Sequence, residues 1–409
     1  MIKLRIALRE YVDFENAMAA VIAKYMAAKP DISIEAVPLD LAALYSELFA
    51  EEGLRSGKWD MALVVTDWLA DAVAGDLIEN LTPYMSKEPP PDWPEGWARS
   101  LIEPLDFDGK CYCIPWHDGP ECLIYRSDLF ESPMERRKFK AVYGYDLGSP
   151  LTWEQFEDVA RFFTRPGKGL YGTLFACYPD GHNTLYDFAL QVWSRGGELH
   201  DSSGVPTLFT SESSAALDFY RRFVRDPALC HPRSIDFDSV QSGDAFLSGS
   251  IAMMVNWFGF ASRAGRIGGA LEGKVSLAPI PCNQSLSPVS LSVFWNMAIA
   301  AGSPHKKAAY DFLRFLSLQE IDREVVRHGV VGVRLSTWND SEIRRTVPAF
   351  TRIEAISLGA RRLPRSPHMA EFAEIVDRIV VDALRTEEPS DSILKRAQRN
   401  AVKKNIRFQ

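Results

Sequence analysis

The chain has 409 residues, of which 46% are hydrophobic and 24% are charged, as is ordinary for a soluble globular protein. This length exceeds what a single hydrophobic core usually serves, so we expect at least two domains. The net charge of -8 argues against nucleic acid as a partner, because such a partner requires a concentrated basic face.

The first 65 residues predict an alternation of strands and helices, and this alternation favours an α/β lobe with a largely parallel sheet. The predicted elements are a strand within 1–10, a helix over 15–28, a strand over 32–36, a helix over 41–52 and a strand over 59–65. Ligands of such sheets lie beyond the carboxyl ends of the strands. The residues at those ends are therefore candidates for a binding site: Arg9, Glu10, Asp13, Asp40, Asp67 and Trp68. Trp68 has a second interpretation as a core tryptophan.

Residues 108–130 predict strand, crossover, strand, because two short apolar runs flank a polar centre with Pro115 and Pro120. Trp116, His117 and Asp118 lie between these prolines and suit a ligand site at the junction of two lobes. Cys111-x-Cys113 lacks the C-x-x-C spacing of zinc sites, and six cysteines make no disulfide framework in a chain of this length. We expect free thiols, no metal and no cofactor.

The remaining chain predicts further helices and strands. Thr152 and Gln155 form the signature of a capping box for a helix through Phe163, so Trp153 is expected to be structural. Gly249 predicts a turn of positive φ before a buried strand. Proline at Pro304 predicts the first position of another helix. Other predicted helices cover 211–225, 367–386 and 390–406. The added site candidates are Tyr178, Asp180, Asn256, Trp257, Phe294, Trp295 and Arg334.

Several segments resemble the extracellular solute-binding proteins of carbohydrate ABC importers, the maltose-binding-protein type. The segments that carry the resemblance are Gly109-Lys110-x-Tyr112-x-Ile114-Pro115, Leu69-x(5)-Gly75-x-Leu77-Ile78-x-x-Leu81, Ala245-Phe246-x-x-Gly249-x-Ile251-Ala252-Met253-Met254 and Val293 to Ala300. The sequence departs from the family at Ser292-Val293, where glycines are usual, and at Val333, where proline is common. The resemblance covers nearly the whole chain in the right order.

The resemblance implies a two-lobe periplasmic-binding-protein fold of the α/β class. Each lobe would have a mixed, mainly parallel sheet flanked by helices, and a multi-strand hinge would join the lobes. The expected N-terminal lobe is 1–113 plus 283–328, and the expected C-terminal lobe is 118–278 plus 335–409. Hinge crossings are expected near 114–117, 279–282 and 329–334.

The function implied is binding of a sugar or sugar derivative in a cleft between the lobes, with delivery to the membrane permease subunits of an ABC importer by hinge closure. We expect a monomer that is periplasmic or extracellular. The longest apolar run at the N-terminus is three residues, against about 7 to 15 in a signal-peptide core, so an exported form would have lost its leader.

Three alternatives stay open at this point. Arg9, His117 and Arg334 would suit an anionic ligand such as a glycerol-phosphate or a sulfonated glycoside, although the two arginines serve equally well in salt bridges. A binding protein for a peptide, polyamine or metal is a second class. A carbohydrate-active enzyme using Asp118 and Glu121 is the third, since glycosidases need two carboxylates. The sequence contains none of the motifs of common hydrolases or nucleotide-binding enzymes.

Overall fold

A computed structural model describes residues 1–283 and 286–409. The chain divides into two compact units, and each unit is discontinuous in sequence. Unit 1 consists of Met1–Gly119 and Val293–Glu354, and unit 2 consists of Pro120–Ser292 and Ala355–Gln409. The chain therefore passes from one unit to the other after Gly119, after Ser292 and after Glu354.

These passages differ from the expected hinge positions for identifiable reasons. Ser290 and Leu291 pair with Ala360 and Arg361, which keeps the chain in unit 2 well beyond 279–282. The segment 329–334 belongs to unit 1, because the Val331 amide donates to His117. Asp118, expected in the second lobe, is likewise a residue of unit 1.

Unit 1 contains a five-stranded sheet in the order β2-β1-β3-β11-β6. Strands β1, β2 and β3 are mutually parallel, and β11 runs antiparallel to both β3 and β6. All five residues of β3 are buried, as expected for a strand in the middle of a sheet that is covered on both faces. The strands of unit 1 are β1 Ile2–Arg9, β2 Ile32–Leu39, β3 Met61–Val65, β4 Asp106–Phe107, β5 Lys110–Cys111, β6 Cys113–His117 and β11 Trp295–Ile299.

The helices of unit 1 flank this sheet, and a π-helical turn over Ser46–Ala50 directly continues the second helix. The helix predicted over 15–28 begins about one turn earlier, at Val12. The helices are α1 Val12–Ala28, α2 Leu41–Tyr45, α3 Leu69–Ala74, α4 Thr82–Met85, α5 Arg99–Ile102, α13 Lys306–Leu316, α14 Gln319–Arg327, α15 Leu335–Trp338 and α16 Ser341–Thr346. Helix α17 Phe350–Leu358 carries the third passage between the units.

Unit 2 contains a three-stranded sheet in the order β8-β7-β9, and both of its pairings are antiparallel. Parallel pairing occurs here at the isolated bridges Tyr171 to Ile251 and Thr173 to Cys230, and in the short β10-β12 ladder. The strands of unit 2 are β7 Glu121–Arg126, β8 Met253–Trp257, β9 Val275–Ala278, β10 Ser290–Leu291 and β12 Ala360–Arg361. The strand, crossover, strand prediction for 108–130 corresponds to β6 and β7.

The helices of unit 2 include α9, whose eleven residues are all buried. The helices are α6 Ser127–Phe130, α7 Pro133–Tyr143, α8 Trp153–Phe163, α9 Asn183–Trp193, α10 Ser211–Arg225, α11 Ser239–Leu247, α12 Phe258–Gly265, α18 Met369–Arg385 and α19 Ser390–Lys403. None of the helices in the described part of the chain combines the length and the apolar character that a membrane span requires.

Local signals in the sequence fix several element ends. Thr152 caps α8 by accepting from the Gln155 amide, but the Gln155 side chain accepts from Leu151 rather than from Thr152 as the capping box predicted. Gly249 has a φ of 83°, as predicted. Helix α13 begins at Lys306 and not at Pro304, because the Ser303 hydroxyl accepts from the His305 amide and holds an extra turn before the helix.

Candidate functional site

The sheet of unit 1 gathers several predicted site residues at one of its ends. The parallel strands β1, β2 and β3 place Arg9, Leu39 and Val65 at a common edge. The register of β11 sets Trp295 opposite Val65 on one side and opposite His117 on the other. The segments that leave these strand ends therefore share one end of the sheet: 9–13, 40, 66–68, 117–118 and 294–295.

Phe14 is the centre of an aromatic cluster at this end of the sheet. Its ring centroid lies 4.9 Å from that of Trp116, 4.7 Å from that of His117 and 6.4 Å from that of Trp295, and all three contacts are edge-on. Tyr11 adds a further edge contact at 5.2 Å. Edge-to-face pairs at these distances are favourable, so the cluster holds its rings in fixed orientations.

Trp68 and Trp295 extend the cluster in the direction of β3. Their centroids are 5.9 Å apart and their planes are nearly perpendicular, at 88°. Tyr45 and Phe49 stack on each other at 4.9 Å, and both also contact Trp68. Trp68 is buried whereas Trp295 is half-buried, so Trp295 is the tryptophan of this pair that presents surface.

His117 is held in the neutral form. The Val331 amide donates to Nδ1 at 3.0 Å, which requires that nitrogen to be unprotonated. Desolvation by the surrounding protein lowers the pKa of His117 to about 3. The ring can therefore donate through Nε2 and carries no charge at neutral pH.

Asp118 follows directly and is buried, at 1% exposure. Neither of its carboxylate oxygens has a hydrogen-bond partner among residues 1–283 and 286–409. Burial raises the pKa of Asp118 to about 7, and the amide of Gly119 partly opposes this rise. An unsatisfied buried carboxylate is costly, so this group is suited to a partner that arrives from outside the protein.

Unit 2 has its own group of aromatic and acidic residues at the end of its sheet. Glu121 and Trp257 are cross-strand partners, and Trp257 contacts Tyr186 edge-on at 5.4 Å. Tyr220 donates to Asp187 at 2.7 Å. Burial raises the pKa of Asp187 to about 7, and burial together with the charge of Asp187 raises the pKa of Glu121 well above its usual range. The two acids therefore compete for protons in a poorly solvated environment.

Comparison with known proteins places these features in a family. The sequence model of the bacterial extracellular solute-binding proteins matches residues 11–321, which is most of the chain. The chain belongs to this family. A similar relative is a probable ABC transporter-binding protein of Deinococcus radiodurans, 23% identical over 318 residues that cover 76% of this chain and 72% of the relative.

Solved structures share the fold of this solute-binding protein over nearly its full length. Maltose-bound MalE3 of T. maritima has 20% identity and a TM-score of 0.85, with 98% of this chain and 99% of that chain covered. An ABC transporter solute-binding protein of Agrobacterium radiobacter in complex with ribitol has 21% identity and a TM-score of 0.87, with 98% of each chain covered. The predicted α/β fold of the two-lobe periplasmic-binding-protein type is confirmed.

Some predicted site residues of this solute-binding protein have partners within the protein. Arg334 is 1% exposed and is committed within unit 1: it pairs with Asp92 at 2.5 Å, donates to the carbonyls of Pro91 and Ser317, and lies 4.1 Å from the ring centroid of Trp97. The prediction of a ligand contact did not account for this enclosure, because Asp92 and Trp97 are distant from Arg334 in sequence.

The side chains of three polar candidates also form hydrogen bonds within the protein. Asp40 caps α2 by accepting from Ala43. Asp180 accepts from the amides of His182 and Asn183 at the start of α9. Asn256 is buried, donates to Ser239 and accepts from the Trp257 amide. These three side chains therefore have partners within the protein, and their contact with a ligand stays a prediction.

The other predicted residues differ in their surroundings. Arg9 donates to the Glu10 carbonyl, and Tyr11 donates to Asp13 at 3.3 Å. Phe294 is fully buried, whereas Tyr178 is 51% exposed. Of the predicted candidates, the structure brings together those at the end of the unit 1 sheet. Tyr178, Asp180, Asn256 and Trp257 belong to unit 2.

Several residues of both groups were not predicted from the sequence. Phe14, Tyr45 and Phe49 belong to the aromatic cluster, and Tyr45 and Phe49 share a helical face four residues apart. In unit 2, Asp187 is the single acid in the otherwise uncharged helix α9. A lone acid in a buried apolar helix is a signal that points to a polar cluster. Within the described residues, no group of three or more His, Cys, Asp and Glu side chains is arranged to hold a metal ion.

Proposed function

We propose that this solute-binding protein binds a sugar or polyol and delivers it to the permease of an ABC importer. The observation that supports this proposal is the aromatic cluster at the end of the unit 1 sheet, where Trp295 presents surface and Asp118 is buried with no hydrogen-bond partner among the described residues. An indole covers the apolar face of a sugar ring, and a carboxylate accepts bonds from sugar hydroxyls. This combination of rings with few polar groups is typical of small-molecule sites.

The ligands of similar structures support the same class. The names of those proteins record maltose, ribitol, D-mannitol and alpha-D-tagatose, all of which are neutral polyhydroxylated molecules. Their sequence identities of 18 to 21% carry the fold to this chain, so ligand class remains part of the proposal.

A neutral ligand fits the charges better than an anionic one. Arg334 is buried in its pair with Asp92 and cannot reach a ligand without breaking that pair. His117 is neutral because its pKa is lowered to about 3. Of the cations that favoured a phosphate or sulfonate ligand, Arg9 remains at the sheet end, where it is half-buried and donates to the Glu10 carbonyl, and a single guanidinium is weak support for an anionic site.

The test is a thermal-unfolding screen of the whole protein against monosaccharides, disaccharides, linear polyols and their phosphorylated forms. A ligand at about 100 times its Kd adds about 2.7 kcal/mol to the free energy of unfolding, so binding raises the Tm visibly. We expect at least one neutral compound to raise the Tm. We do not expect phosphorylated compounds to raise the Tm while every neutral compound leaves it unchanged. Failure of every neutral sugar and polyol, with a hit among peptides, polyamines or anions, would contradict the proposal.

A further inference from the structure

The C-terminal end of unit 2 carries a charge opposite to that of the whole chain. Between Ser390 and Gln409 lie six Lys or Arg residues and one Asp, whereas the chain as a whole has a net charge of -8. All six cations lie on α19 or within the four residues that follow it. The reversal is therefore concentrated on one helix.

One face of α19 fastens the helix to the rest of unit 2. Ile393, Leu394, Ala397 and Ala401 are buried, with exposures of 7% or less. Their spacing of three and four residues is that of a single helical stripe, and α19 packs against α18 and α10 along it. The opposite face is thereby fixed in orientation.

The exposed face of α19 is a stripe of cations. Lys395, Arg399 and Lys403 follow one another at intervals of four residues, and Lys404 and Arg407 continue the series. All five are exposed, and none forms an ion pair with any residue of the described chain. We call these five residues the basic stripe.

The neighbouring cation of the helix, Arg396, is already paired and so is separate from the stripe. Arg396 pairs with Asp382 at 2.7 Å and also with Glu388. Asp391, the one acid of this segment, accepts from the Ser214 hydroxyl at 2.7 Å. A hydroxyl donor leaves the Asp391 carboxylate charged, so the unpaired charge of this segment is five cations against one acid.

Exposed apolar side chains lie beside the stripe. Val402 is 48% exposed and Phe209 is 39% exposed. Lys395 lies over the Phe209 ring, with Nζ 4.7 Å from its centroid. Gln398 holds the preceding loop against the helix, because its side chain accepts from the Leu208 amide and donates to the Pro206 carbonyl.

We propose that the basic stripe of α19, with Phe209 and Val402, binds the surface of a membrane that is rich in anionic phospholipid headgroups. A row of cations along a helix of about 20 Å matches a flat anionic surface. Exposed aromatic and aliphatic side chains beside such a row insert favourably at the boundary between headgroups and acyl chains. An acidic protein surface has no such boundary, so these side chains favour a membrane as the partner. At physiological salt, the repulsion between the membrane and acidic residues more than about 8 to 10 Å away from it is screened.

The test measures co-sedimentation of the whole protein with phosphatidylcholine vesicles that contain phosphatidylglycerol. We expect binding that weakens with added salt and that is absent from pure phosphatidylcholine. Removing three of the five charges of the stripe in K395Q/R399Q/K403Q should lower the partition coefficient about 100-fold, since each cation near an anionic surface contributes about fivefold. F209S should lower it further at constant charge.

Helix α7 offers a matched control. Arg137, Lys138 and Lys140 are exposed and basic, so R137Q/K138Q/K140Q removes the same charge from another surface of unit 2. This variant should partition within about twofold of the unchanged protein. Both triple variants should keep the Tm of the parent.

Three results would overturn the proposal. These are no binding to anionic vesicles at low salt, equal loss of binding in the two triple variants, or binding to soluble poly-glutamate that equals or exceeds binding to the vesicles. The last result would assign the stripe to an acidic protein partner. None of these readouts depends on sugar binding, so this test and the ligand screen fail independently.

Discussion

Individual ionisable residues near the candidate site move stability in opposite directions as pH changes. Asp187 and Asp118 have pKa values raised from 3.8 to about 7, so the stability they contribute is complete below pH 3.8 and is lost as pH rises through about 7. His117 has a pKa lowered from 6.5 to about 3, so its contribution is present above pH 6.5 and is lost as pH falls through about 3. Between pH 4 and pH 7 the effects oppose each other.

Replacing Asp187 separates these effects. In Asp187→Asn the amide oxygen can still accept from Tyr220, but no buried charge forms at high pH. We expect the variant to exceed the parent in free energy of unfolding by about 1 to 4 kcal/mol at pH 8, following from about 1.4 kcal/mol per pKa unit, and to match it near pH 4. Urea titrations at the two pH values measure this difference.

The control is Asp236→Asn, which removes an exposed carboxylate of the same unit. Its difference from the parent should stay within about 0.5 kcal/mol at both pH values. A stability difference in Asp187→Asn that is the same at pH 4 and pH 8 would show that the Asp187 carboxylate is not protonated preferentially in the folded protein.

Arg334 tests whether a predicted ligand contact is structural. Arg334→Met leaves the carbonyls of Pro91 and Ser317 without their donor and Asp92 without its cation. We expect a loss of about 2 to 4 kcal/mol in the free energy of unfolding, because buried groups would be unpaired. The Kd for a ligand found in the screen should stay unchanged.

The comparison variant is Arg99→Met, whose side chain is 90% exposed in its pair with Glu103 and which should cost about 0.5 kcal/mol or less. A large rise in Kd for Arg334→Met, measured at a temperature where the variant remains folded, would show that Arg334 contributes to ligand binding. Chemical unfolding and calorimetric titration together distinguish the two roles.

At the scale of elements, strand ends set which tryptophans present surface. Trp295 at the start of β11 and Trp257 at the end of β8 are half-buried, whereas Trp68 and Trp116 are each 4% exposed. We expect Trp295→Ala and Trp257→Ala to weaken ligand binding by about 0.5 to 3 kcal/mol through lost stacking and burial. Calorimetric titration with the screened ligand measures each change.

Trp153 provides the control for this series. It is 3% exposed and donates to Ser194 at 2.9 Å in the interior of unit 2. Trp153→Ala should lower the Tm and leave affinity unchanged. Unaltered affinity in both Trp295→Ala and Trp257→Ala would rule out these rings as ligand contacts.

Helix α8 gives a prediction about an element end. Thr152 accepts from the Gln155 amide at 3.3 Å and is buried. Thr152→Ala should reduce the free energy of unfolding by about 1 kcal/mol, because the amide loses its acceptor. Thr152→Ser keeps the hydroxyl and should lose less than half as much in urea titrations; an equal loss in both variants would assign the effect to the methyl group.

The sequence predicted elements better than it predicted polar contacts. The sequence correctly predicted that the residues following β1 and β3 share one end of the unit 1 sheet. This prediction depends only on backbone pairing between strands, which also brings the start of β11 to that end. The role of Arg334 was not predictable in that way, since its partner Asp92 is 242 residues away. Asp40 and Asp180 mark helix starts, and short polar residues before a helix are as often caps as ligand contacts.

At the scale of the whole molecule, the three passages between the units bear on transport. We propose that a ligand changes the arrangement of the units by rotation about the backbone near Gly119, Ser292 and Glu354. Shifting such an equilibrium from 1:99 to 99:1 needs about 5.5 kcal/mol of differential affinity. Small-angle scattering should show a smaller radius of gyration at ligand saturation, and an unchanged radius would leave binding without a conformational switch.

The position of β11 has a consequence for the order in which the protein is made. This strand lies between β3 and β6, yet it is supplied by Trp295–Ile299, after the whole first segment of unit 2. A growing chain that ends before Trp295 lacks the strand that joins β3 to β6 and cannot complete the unit 1 sheet. Pairing over so long a separation closes a large loop and is slow. Unit 1 therefore acquires its sheet late in synthesis, and a fragment of residues 1–119 alone should remain incompletely folded.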